Sequence, residues 1–172
     1  MNMHTAWPSG RVIIIHTDGA CLGNPGPGGW AATLKFMDNG IEVSRTTISG
    51  GEPATTTNIK MEMRAAIEAV RALPEVDGTT PIMLFADNDL VIKGMNVWLP
   101  GWIAQGWRTS AKKPVKNQDL WQELIALVAG LNISWHWVKG HSGDFHNEEV
   151  NALASAAALH ASNQSLSIKE IA

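Results

Sequence analysis

The hydrophobic pattern opens with Val12-Ile13-Ile14-Ile15, a β-branched run too continuous for a half-exposed strand. It predicts a central strand from Arg11 to Gly19, with Asp18 at its end. The run Gly23 to Gly29 predicts a turn, and Trp30 to Met37 a second strand. Asp38-Asn39-Gly40 is a hairpin signal leading into a third strand, Ile41 to Ile48, followed by a polar loop from Ser49 to Thr56. A helix then begins with Thr57 or Asn58 as its cap and stops before Pro74. Its apolar stripe is Met63, Ala66, Ile67, Val70 and Leu73, and Glu62 lies beside that stripe.

The short apolar run Ile82 to Ala86 predicts a buried strand parallel to the first, with Asp87 at its carboxyl end. Helical segments are expected around Leu90 to Gly94, Val97 to Gln105 and Asp119 to Ala129, interrupted by Pro100 and Gly101. Ile133 to Val138 reads as a last strand, Lys139 to His146 as a loop, and Asn147 to His160 as an Ala-rich helix. The order βββαβ, helices, β, α describes an α/β domain with a five-stranded mixed sheet and helices on both faces. Residues 1–10 form an N-terminal extension, 11–160 the domain, and 161–172 a tail expected to be poorly ordered.

At 172 residues, 45% of them hydrophobic and 17% charged, the chain fits one domain with a sizeable core and lacks the composition of a disordered protein. The single cysteine, Cys21, forbids an intramolecular disulfide, and no secretory pattern or membrane-spanning run is present. A soluble cytoplasmic monomer without a membrane partner is expected. The formal charge of −3 excludes a generally cationic surface, so any nucleic-acid site must be local.

One stretch is locally cationic. Leu90 to Gln118 contains no glutamate and no aspartate, yet carries Lys93, Arg108, Lys112, Lys113 and Lys116 among Trp98, Trp102 and Trp107. Cations attract phosphates and flat aromatic faces pack on sugars and bases. Tryptophans at i, i+4 and i+9 also suit packing within a core, and lysines a solvated face.

Ligands in open α/β sheets gather at the carboxyl ends of parallel strands, where Asp18 and Asp87 both fall, and Glu62 can reach the same crevice. Singly, a strand-end aspartate is as readily a turn or cap residue. Jointly, three carboxylates in one crevice repel unless cations neutralise them, and hard oxygen ligands suit Mg²⁺ or Mn²⁺.

These segments together resemble ribonuclease H of type 1, in its bacterial form. The resemblance is carried by Thr17-Asp18-Gly19-Ala20-Cys21-Leu22-Gly23-Asn24-Pro25-Gly26, by Thr57-Asn58-Ile59-Lys60-Met61-Glu62, and by Ala86-Asp87-Asn88. Trp107-Arg108-Thr109, Lys112 to Asn117, and Trp135-His136-Trp137-Val138-Lys139-Gly140-His141-Ser142-Gly143 follow in the same order. The resemblance implies an RNase H-like fold and an endonuclease that cuts the RNA strand of RNA/DNA hybrids with two Mg²⁺ or Mn²⁺ ions, leaving 5′-phosphate and 3′-hydroxyl ends. It implies that Asp18, Glu62, Asp87 and the residue at Asn151 hold the metals, with Asp18 bridging, and that His141 relays protons. Cys21, Asn24 and Asn58 match positions that touch the hybrid's minor groove, and Trp98, Trp102, Trp107, Lys112, Lys113 and Lys116 complete the expected substrate-binding set.

The chain departs from the family pattern in three places. Ile103-Ala104-Gln105 replaces a segment that is usually basic. Asn88-Asp89-Leu90 stands where Ser-Gln-Tyr is common, adding a fourth acid near the cleft and a source of phosphate repulsion. Asn151 replaces the fourth catalytic acid, with Glu148 on the same helix face three residues earlier as a partial source of the missing charge. An active hybrid nuclease and a hybrid-binding protein with turnover impaired by Asn151 are therefore the competing functions. An integrase or transposase of related fold has no use for Asn24, Asn58 and His141.

Overall fold

The β-branched run forms the middle of β1 (Arg11–Cys21), the central strand of a five-stranded sheet ordered β3-β2-β1-β4-β5. The computed structural model describes residues 10–140 and 143–171, with side chains of the last helix described as far as Gln164. After β1 come β2 (Gly26–Asp38), β3 (Ile41–Thr56), α1 (Asn58–Arg71), β4 (Pro81–Ala86) and α2 (Asp89–Lys93). A turn of π-helix, Gly94–Trp98, leads into α3 (Leu99–Ala104), followed by α4 (Gln118–Val128), β5 (Asn132–Trp137) and α5 (Phe145–Ile171). The first three strands pair antiparallel, whereas β4 runs parallel to both β1 and β5. The hairpin between β2 and β3 turns at Asn39 and Gly40, both at positive φ, as the Asn-Gly signal requires.

Alternation along the strands assigns the two faces. Ile13, Ile15, Ala32, Leu34, Ile82 and Leu84 pack against Met63, Ala66 and Ile67 of α1 and against Leu120, Trp121 and Leu124 of α4. On the other face Ala31 meets Val150 and Ala154 of α5. Helices thus cover both faces, and the expected mixed sheet is present.

Three boundaries differ from those the pattern predicts. Gly26 to Gly29 belongs to β2 rather than to a turn, pairing with β1 through Cys21–Gly28 and Ala20–Gly29. Glycine stands there because α5 crosses closely: a Cβ on Gly29 would fall inside 3.0 Å of the backbone of Ala154, Ala157 and Ala158. The polar stretch after Ile48 is strand as well, since Ser49 to Glu52 pair with Ala31 to Gly28. It is polar because β3 is an edge strand, exposed along most of its length. Finally, α5 runs past His160 to Ile171, and Ala161, where a tail was expected, continues the buried stripe of Ala154 and Ala158 at 1% exposure. No described helix is long and apolar enough to cross a membrane.

Candidate active site

Register brings Asp18 and Asp87 together. Thr17 and Ala86 are the last pair of the parallel β1–β4 ladder, so Asp18, still within β1 and paired with Ala31 of β2, lies beside Asp87, the first residue after β4. Helix α1 packs across β1 and delivers Glu62 from its second turn. One carboxylate oxygen from each of Asp18, Glu62 and Asp87 lies within 4.8 Å of the others. Asp18 and Glu62 are 5% and 4% exposed, and Asp87 is half-buried.

Glu62 is strongly perturbed by its surroundings. Burial, and then the neighbouring charges of Asp18 and Asp87, push the Glu62 carboxyl well above its usual range. Glu62 Oε2 is buried without a hydrogen-bond partner among the described residues. Buried polar atoms are ordinarily satisfied, so this orphaned oxygen and its two acidic neighbours fit a hard divalent cation. Asp18 Oδ1 accepts from the Gly19 amide at 2.9 Å.

Around the acids opens a cleft of about 300 Å³ lined by Asp18, Gly19, Ala20, Cys21, Asn58, Glu62, Asp87 and Asn151. Asn151 therefore stands at the rim of the acidic group, where its Oδ1 accepts from Ser155 at 3.4 Å. Glu148 is exposed one turn earlier and lies outside this lining. The expected fourth acid near the cleft, Asp89, is exposed at the start of α2 and paired with Lys93 at 2.6 Å. His141 lies outside the described residues.

Asn24 and Asn58 meet directly. Asn24 Oδ1 accepts from the Asn58 backbone N–H at 3.0 Å. Thr57 occupies the cap position of α1 without a side-chain bond, so the expected local cap is replaced by one from the β1–β2 connection, 34 residues away. Cys21 is half-buried, with its Sγ 3.4 Å from the carbonyl oxygens of Gly26 and Thr56. Asn88 caps α2 by accepting from the Leu90 and Val91 amides at 3.1 and 3.3 Å.

The cationic stretch divides into two parts. Trp102 and Trp107 pack partly into the core, with Trp102 at 5.2 Å from the Trp121 ring and 5.8 Å from Trp98. Trp98, Trp102 and Arg108 also line a separate depression of about 450 Å³. Beyond it the chain folds back through an Arg108–Pro114 bridge, and Lys112, Lys113 and Lys116 are exposed.

A residue without a motif signal joins the site. Asn147 of α5 is 2% exposed and donates from Nδ2 to Asp87 Oδ2 at 3.3 Å. The only hint in the sequence is an asparagine in the first turn of a helix, a common and uninformative placement.

Comparison with known proteins agrees with this geometry. The RNase H family model matches residues 10–159. A protein from Cupriavidus pinatubonensis named Ribonuclease H is 52% identical over 143 residues, covering 83% of this chain and 92% of the relative. The crystal structure of LC9-RNase H1, a type 1 RNase H with the type 2 active-site motif, is 31% identical with a TM-score of 0.76, covering 89% of this chain and 74% of the other. LC11-RNase H1 in complex with RNA/DNA hybrid shares the fold at 20% identity and a TM-score of 0.56, covering 84% of this chain and 98% of its own. With the family match spanning the sheet, both helical layers and the acidic cleft, this chain belongs to the RNase H family.

Proposed function

We propose that the protein hydrolyses the RNA strand of RNA/DNA hybrids with two divalent cations, Mg²⁺ or Mn²⁺, leaving 5′-phosphate and 3′-hydroxyl ends. The observation that carries this reading is the convergence of one carboxylate oxygen from each of Asp18, Glu62 and Asp87 within 4.8 Å, with Glu62 Oε2 buried and unpartnered among the described residues. When bound, the cation pair supplies an activated water and stabilises the leaving 3′-oxygen. The chain's own part is to hold the ligands: Asp18 from β1, Glu62 from α1, Asp87 after β4, and the neutral oxygen of Asn151 from α5. Asn24 and Asn58 mark the groove-facing side, where an amide can both donate to and accept from a 2′-hydroxyl. The hybrid complex of LC11-RNase H1 supports the choice of substrate.

Asn151 favours a second reading, a hybrid-binding protein with impaired turnover. An amide keeps an oxygen for the metal but lacks the negative charge, which weakens the interaction without abolishing it. End-labelled hybrid incubated with Mg²⁺ or Mn²⁺ separates the two. Cleavage that disappears with Asp18→Asn establishes the nuclease, and tight binding without cleavage at millimolar metal establishes the binding protein.

A further inference from the structure

The geometry points to Asn147 as a positioning residue: its side-chain amide holds the Asp87 carboxylate in the orientation that faces Asp18 and Glu62. This rests on the reading of those three acids as a divalent-cation site.

Asn147 is more deeply buried than Asp18 or Glu62, at 2% exposure. Its Nδ2 donates to Asp87 Oδ2 at 3.3 Å across 60 residues of sequence. The reversed amide would set its oxygen against a carboxylate oxygen, so donation is the orientation the pair requires. The donor is itself fixed, because Asp144 caps the helix by accepting at Oδ1 from His146 N at 2.9 Å and Asn147 N at 3.2 Å.

Asp87 is gripped at two further points. Its backbone carbonyl accepts from Trp137 Nε1 at 2.9 Å. Gly140 lies against its carboxylate so closely that a Cβ there would fall inside 3.0 Å of Oδ2. Among the described residues, Oδ2 is the oxygen of Asp87 that the Asn147 side-chain amide engages. Partners that orient a metal-binding carboxylate ordinarily govern affinity as well as geometry. Their weight increases here, because Asn151 leaves three negative charges to hold what four acids would.

The test is calorimetric titration of the hybrid-free protein with Mn²⁺, alongside melting in EDTA and steady-state cleavage. Asn147→Ala is expected to raise the Mn²⁺ Kd by about 10-fold. The KM for hybrid should stay within about twofold, since the residue is buried behind Asp87 rather than against the substrate. A folded Asn147→Ala protein with the parental Mn²⁺ Kd overturns the inference. Should that variant fail to fold, Asn147→Ser answers the same question: it keeps a small polar group, but its hydroxyl is too short to reach Asp87. A parent that binds Mn²⁺ yet cuts no hybrid defeats the proposed function and leaves this inference standing. A parent that binds no Mn²⁺ overturns both.

Discussion

Gly19 lies with its backbone directly against that of Glu62: a Cβ on Gly19 would fall inside 3.0 Å of the Glu62 amide nitrogen and Cα and of the Met61 carbonyl carbon. This contact sets the distance at which α1 crosses β1, and hence the distance between Asp18 and Glu62. Gly19→Ala should force the helix outward, because backbone atoms cannot yield as a flexible side chain can. The expected cost is about 1–3 kcal/mol in urea unfolding, together with weaker Mn²⁺ binding. Parental stability and metal affinity in that variant would show that the packing relaxes without moving the acids.

Restoring the fourth acid should ease the metal requirement. Asn151 lines the cleft with Asp18, Glu62 and Asp87, so Asn151→Asp adds a negative charge where the cations are expected. The Mg²⁺ concentration for half-maximal cleavage should fall by roughly 10-fold, the ratio expected of about 1.4 kcal/mol from a charged in place of a neutral acceptor. An unchanged metal dependence would place Asn151 outside the metal's reach.

Buried Glu62 gives the protein a specific dependence on pH. Its folded-state pKa is raised, so between the unfolded value and the raised one the folded chain keeps a proton that the unfolded chain has lost. Its contribution to stability is therefore fully present below the unfolded pKa and is lost as pH rises through the folded one. Glu62→Gln should accordingly melt above the parent in EDTA at pH 8, with the difference vanishing near pH 4. Added Mg²⁺ should raise the melting temperature of the parent but not of the variant. A parent that outlasts Glu62→Gln at pH 8 without metal would contradict the sign.

Exposed Lys112, Lys113 and Lys116 are separated from the acids in sequence and lie outside the cleft lining. If they hold the hybrid backbone, changing all three to Ala should raise KM and reduce the slope of log KM against log salt, with kcat little changed. An unchanged slope would return them to a solvated face.

For His141, the resemblance implies proton relay. His141→Ala should slow turnover by roughly 10- to 100-fold without weakening hybrid binding. A loss confined to KM would indicate substrate contact instead.

The local parts of the fold were legible in the chain's own pattern. Continuous β-branched residues marked β1, the apolar stripe from Met63 to Val70 marked the buried face of α1, and Asn39-Gly40 marked the hairpin, because periodicity and turn chemistry act between near neighbours. It also placed Asp87 at a strand end; β1 runs on past Asp18 to Cys21, and what brings the two acids to one crevice is that the parallel pairing of β1 with β4 stops at Thr17 and Ala86. Which distant pieces meet depends on packing across the whole fold. The Asn24 cap on α1 and the Asn147 donor to Asp87 join residues 34 and 60 positions apart, which no local pattern encodes. The same holds for Gly26 to Gly29. Their composition reads as a turn, but pairing with β1 makes Gly28 and Gly29 strand, and at Gly29 only a residue without a Cβ lets the backbone of α5 pass so close.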